Sequence, residues 1–114
     1  SIVAGMYPRE FVENNPAKIE DIVSRETIFP LSPEIFERHY QAARAFDSYE
    51  RLEQLNCPTL ILAGDQDLMV NPENSRLLAQ LIPQSKLQII PGGGHGFLEQ
   101  YPEQVIGLVM DVLR

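Results

Sequence analysis

An α/β fold is predicted for this chain, with two parallel strands flanked by helices and preceded by helical segments. Three observations predict it. Thr59-Leu60-Ile61-Leu62-Ala63 is a near-continuous apolar run between Pro58 and Gly64. Such a run without alternation suits a strand covered on both faces, as in a parallel sheet. Leu87-Gln88-Ile89-Ile90 is a second short strand, broken by Pro91-Gly92-Gly93-Gly94. Helices alternate with these strands, and strand, helix, strand, helix predicts parallel strands joined by a right-handed crossover.

Each helix has its own start signal. Asn71-Pro72 caps a helix whose Leu77, Leu78, Leu81 and Ile82 form an apolar stripe, and Pro83 stops it. A last helix opens at Pro102 and should turn Val105, Ile106, Val109, Val112 and Leu113 inward. Upstream, Asn15-Pro16 and Ser32-Pro33 repeat the pairing of a cap residue with proline at the first helical position. Ile19, Ile22 and Val23 then recur at helical spacing, as do Ile35, Phe36, Tyr40, Ala43 and Phe46. Pro8, Pro30 and Pro33 divide this half into several short elements. The two halves, residues 1–46 and 47–114, meet near Asp47 to Asn56.

Two strands are few for a parallel sheet, which is normally buried inside a larger one. The chain is therefore expected to need more protein, a missing part of its own or a second copy. It opens on Ser1 followed by the apolar Ile2-Val3-Ala4, which suggests a piece cut from something longer.

The 114 residues suffice for one small domain. Nine Lys plus Arg against sixteen Asp plus Glu give a net charge of -7. That excess disfavours nucleic acid and anionic membrane as partners. The single cysteine, Cys57, has no internal disulfide partner and is expected to be a buried free thiol. With no signal peptide and no stretch long enough for a membrane helix, the expected location is the cytoplasm.

Gly64-Asp65-Gln66-Asp67 follows the first strand directly, and Gly92-Gly93-Gly94-His95-Gly96 follows the second. Groups placed past the carboxyl ends of parallel strands lie where open α/β sheets form their sites. An acid and a histidine 28 residues apart (95 minus 67) are thereby brought to one rim. A carboxylate against an imidazole fixes the ring's tautomer and stabilises the imidazolium formed when the ring takes a proton. On spacing alone, a turn-forming Asp and a solvated loop His explain the pattern equally well. A metal site from Asp65, Asp67 and His95 is disfavoured, because His39, the other histidine, belongs mid-helix in the first half. No cofactor is implied.

Pro58 to Val70, reading PTLILAGDQDLMV, resembles the acid strand and turn of the α/β hydrolases. Ile90 to Glu103, reading IPGGGHGFLEQYPE, resembles that family's histidine loop and following helix. The resemblance is specific over residues 47–114 and loose over 1–46, which by position correspond to the helical cap. It implies the C-terminal part of an α/β-hydrolase sheet preceded by helical cap segments. It matches Asp67 to the triad acid, in preference to Asp65, and His95 to the base. It also puts Phe97, Leu98 and Met69 beside a substrate pocket. Met6, Tyr7 and Phe11 would line that pocket from the cap or simply pack.

The family's order is Ser, acid, His, with the serine in a Gly-x-Ser-x-Gly turn. None of the serines at 1, 24, 32, 48, 75 and 85 is so flanked. Ser32, Ser75 and Ser85 read as cap, helix and turn residues. The resemblance thus implies the acid-and-base part of a serine hydrolase for a small ester, lactone or similar acyl substrate. By itself this part would be inactive. The alternative is a non-catalytic half-domain acting through dimerisation or strand exchange.

Overall fold

The computed structural model describes residues 2–26 and 30–114. Three short helices come first: α1 (Ile2–Met6), α2 (Arg9–Asn14) and α3 (Pro16–Glu26). They are followed by α4 (Pro33–Ala45) and a 3-10 turn at Tyr49–Gln54. Then come β1 (Thr59–Gly64), α5 (Pro72–Leu81), β2 (Ser85–Ile90), α6 (Phe97–Gln100) and α7 (Pro102–Leu113). The predicted α/β class is the observed one. β1 and β2 pair in parallel, with Thr59 opposite Ser85 and Gly64 opposite Ile90.

Local chemistry explains most boundaries. The Ser32 hydroxyl accepts from the Ile35 N–H at 3.3 Å, and the Asn71 side chain accepts from the Glu73 N–H at 3.0 Å. Each satisfies one of the unpaired donors of a helix start, with proline in the next position. Asn15, expected to cap the start of α3, alone separates α2 from α3, and its side-chain amide donates back to the Phe11 carbonyl of α2 at 2.9 Å. β2 starts two residues ahead of the predicted strand, because the Ser85 hydroxyl donates to the Ala79 carbonyl and fastens the polar start of the strand to α5.

Among the described residues, buried apolar side chains occur in the helical half and around the sheet. In the helical half Val3, Tyr7 and Ile22 gather, with Met6, Phe11, Val12 and Ile19 packed against them. Buried Ile61, Ala63, Ile82, Ile90 and Val105 lie around the sheet.

Several sequence expectations of burial are corrected. In β1, Ile61 and Ala63 are buried, while Leu60 and Leu62 are half-exposed, so the strand is not covered on both faces. In α7, Val105 is 2% exposed, but Ile106 and Leu113 are 61% and 74% exposed. Val109 and Val112 are exposed as well, so the helix buries Val105, half-buries Leu108 and leaves its other apolar side chains uncovered. Periodicity identifies an apolar face without identifying what covers it. Cys57 is exposed rather than buried, since the loop entering β1 runs over the surface. His39 lies in the middle of α4, as predicted, and is exposed. Among the described residues, no helix is long and apolar enough to cross a membrane.

Candidate active site

The loops leaving β1 and β2 run side by side. The Asp65 N–H donates to the Ile90 carbonyl at 3.2 Å, and the Gln66 N–H donates to the Gly93 carbonyl at 2.9 Å. Gly64 makes this approach possible, because a side chain there would occupy the space of the Gly93 carbonyl group. Gly92 turns the second loop with φ +71, in the left-handed region that glycine enters without penalty.

Side by side, the loops bring Asp67 to His95. Asp67 Oδ2 lies 2.9 Å from His95 Nδ1. The other carboxylate oxygen, Oδ1, accepts from the Met69 and Val70 N–H groups, each at 2.9 Å. The Asp67 side chain is only 9% exposed, against 37% for that of His95. Burial opposes ionisation of Asp67. The Val70 N–H, the His95 ring and the Met69 N–H together outweigh it and hold the carboxyl below its usual range. A carboxylate only accepts, so the Nδ1–H of His95 is the donor and Nε2 is left free.

Asp67 binds fewer protons folded than unfolded, so its contribution to stability is complete above the ordinary carboxylate range. That contribution is lost as pH falls through the lowered pKa. Urea unfolding across the acid range should show the loss, and Asp67→Asn should remove that part of the acid sensitivity. An unchanged acid slope in Asp67→Asn would contradict the assignment.

Asp65 points elsewhere. Its Oδ1 accepts from the Gly92 N–H at 2.8 Å, so it braces the second loop instead of meeting the imidazole. Among the described residues, no group of three or more His, Cys, Asp or Glu side chains is arranged to hold a metal ion.

The alpha/beta hydrolase fold family matches residues 9–102, which includes both loops and both strands. The chain belongs to this family. RutD of Caulobacter sp. (strain K31), which carries the provisional name carbamate hydrolase, is 37% identical over 109 residues, 95% of this chain and 40% of that protein. A poly(3-hydroxyalkanoate) depolymerase of Ectopseudomonas oleovorans is 40% identical over 73 residues, 64% of this chain and 25% of that protein. A thermophilic esterase from Thermogutta terrifontis, solved with malate bound, superposes with a TM-score of 0.83 at 33% identity. That superposition covers 98% of this chain and 41% of the esterase. The chain therefore spans less than half the length of each of these relatives.

In this alpha/beta hydrolase chain, a cleft of about 430 Å³ opens beside His95, lined by Met6, Tyr7, Ile22, Arg25 and Leu98. Leu98 is thus at the cleft. Phe97 is half-buried under the glycine loop, where a Cβ on Gly93 would lie 3.0 Å from its own Cβ. Met69 lies over α1, and a Cβ on Gly5 would sit 3.6 Å from its Cγ. Of the three aromatic and sulfur side chains from the first half, Met6 and Tyr7 reach this cleft. Phe11 faces a second hollow, with Gln66, Gly92 and Gln100, and stacks on Tyr7 with ring centroids 5.6 Å apart.

Sequence reasoning missed three contributors. The Gly96 N–H donates to the Met6 carbonyl at 2.9 Å, which joins the histidine loop to the helical half. Arg25 reaches Glu99 at 3.4 Å beside the cleft, an exposed pair that water screens and that adds little to stability. Gln100 is buried inside the histidine loop. None leaves a local signature, because each is a meeting of distant or irregular segments.

Proposed function

We propose that this chain provides the acid, Asp67, and the base, His95, of a serine-type hydrolase acting on an ester, carbamate, lactone or similar small acyl substrate. The nucleophile and the oxyanion-binding N–H groups belong to protein outside residues 1–114. The observation that carries the reading is the 2.9 Å bond from His95 Nδ1 to a carboxylate that two backbone N–H groups hold in place. With Nδ1–H committed to Asp67, Nε2 is free to take a proton from a hydroxyl nucleophile and return it to the leaving group. The names of RutD and of the esterase support acyl chemistry for the whole protein. A cytoplasmic setting goes with this reading, as a lone unpaired cysteine suits a reducing compartment.

The test has two arms. The coding frame upstream of Ser1 should carry a strand, a Gly-x-Ser-x-Gly turn and a helix. The isolated 114-residue chain should release no burst of nitrophenolate from a nitrophenyl ester, because a base without nucleophile or oxyanion hole lacks most of the rate enhancement. A burst abolished by His95→Ala would overturn the assignment of the nucleophile to another segment.

A second reading, association of two copies without catalysis, draws support from the uncovered apolar side chains of α7 and from a sheet of two strands. Light scattering distinguishes it: a monomer at high concentration that unfolds cooperatively counts against association.

A further inference from the structure

We propose that Gln100 is a positioning residue for His95, acting through the backbone of the glycine loop; this rests on the reading of Asp67 and His95 as acid and base. Gln100 is the buried polar side chain among the described residues, 8% exposed. Its Oε1 accepts from the Gly94 N–H at 2.7 Å, and its Nε2 donates to the Gly92 carbonyl at 3.1 Å. Its own N–H donates to the Gly96 carbonyl at 3.3 Å. The side chain therefore grips the loop on both sides of Gly93, while the backbone bond to Gly96 is the first turn of α6.

The grip matters because the imidazole takes its place from the loop backbone that carries it. Asp67 is pinned to the β1 turn by two N–H groups, so it is the stationary member of the pair. The His95 side chain is more than a third exposed, against 9% for that of Asp67. Its place depends on a backbone that contains Gly92, Gly93 and Gly94 in succession, the residues with most conformational freedom to lose. Further bonds brace the loop from outside: Asp65 holds the Gly92 N–H, the Gln66 N–H holds the Gly93 carbonyl, and the Met6 carbonyl holds the Gly96 N–H. Gln100 holds it from inside.

The chemistry selects an amide. The site needs one acceptor and one donor on the same short planar head, which glutamine supplies. An ionised glutamate keeps the acceptor for Gly94 and loses the donor for Gly92. Methionine keeps the volume and loses both bonds. A residue that merely fills space would tolerate methionine without any effect on the histidine.

The proton position on His95 is the readout, because the hydrogen bond made by one ring nitrogen sets which nitrogen carries the proton. Nitrogen-15 NMR of the imidazole in the full 114-residue chain, above the titration range of the ring, should show the Nδ1–H form predominating. Asp67→Asn should abolish that predominance. Gln100→Met should lose it too, and Gln100→Glu should retain it in part, while both variants keep the fold by circular dichroism. A folded Gln100→Met with the Nδ1–H form intact overturns the proposal and leaves the Asp67–His95 pair standing. A wild-type chain without an Asp67-dependent Nδ1–H form overturns the underlying reading, and this inference with it. Should Gln100→Met not fold, Gln100→Glu is read in its place, together with hydrogen exchange of the wild-type Gly94 amide. A Gly94 amide exchanging as fast as a solvent-exposed one overturns the clamp; protection supports it.

Discussion

Gly64→Ala is expected to destabilise the chain by about 3 kcal/mol or more, at the upper end of what overpacking costs. The added methyl group would meet the carbonyl carbon and oxygen of Gly93, and it would come within 2.7 Å of the Gly94 carbonyl oxygen. These are backbone atoms, with no rotamer to change. Relief requires the two loops to separate, and the bonds Asp65 N–H to Ile90 and Gln66 N–H to Gly93 hold them together. Folding and the site are thus damaged by one change, since the same separation parts Asp67 from His95. Gly107→Ala is the control. Gly107 sits in α7 with no atom beyond its own helix backbone and chain neighbours within 4 Å of an added Cβ, so alanine there should stabilise by about 0.5–1 kcal/mol through helix propensity. Paired urea titrations give both values. A Gly64→Ala chain within 1 kcal/mol of wild type would show that the loops are free to part.

What could be read from the sequence divides along a physical line. Features set by neighbouring residues were legible: the caps at Ser32 and Asn71, the apolar run of β1, and the glycine-rich turn after β2. The common end of the two strands was legible as well, because parallel pairing dictates it once each strand is found. Features set by what lies across space were not. The apolar spacing of α7 is real, yet beyond Val105 it describes a face that the described residues leave open. Cys57 next to an apolar strand suggested burial, and its side chain instead lies at the surface, 3.9 Å from the Thr59 hydroxyl. Asp65 and Asp67 have the same residue type and nearly the same position. Only the turn decides that one faces Gly92 and the other His95. Gln100 carried no signal at all, since a glutamine before Tyr101-Pro102 reads as a solvated helix residue until the loop is seen folded over it.

On the proposed reading, in a whole protein that pairs this chain with a serine nucleophile, Asp67→Asn should lower kcat by about 10⁴-fold while leaving the fold intact. The size of the effect follows from how the carboxylate is divided. Oδ1 already accepts from two N–H groups, Met69 and Val70, and an asparagine keeps that oxygen in the same place. Its amide nitrogen is then the atom facing His95 Nδ1. An amide N–H only donates, so Nδ1 must accept and the ring proton moves to Nε2. The nitrogen that should take a proton from the nucleophile then already holds one, and the base is disabled without any movement of atoms. Asp65→Asn separates this from a general loss of acidity. An asparagine at 65 still offers an oxygen to the Gly92 N–H, so kcat should fall by less than about tenfold, equivalent to roughly 1.4 kcal/mol. Initial rates on a nitrophenyl ester, measured for both variants at saturating substrate, compare them directly. A large loss in Asp65→Asn and a small one in Asp67→Asn would transfer the acid role to Asp65. The reverse result would leave Asp67 as the residue that sets the tautomer of the base.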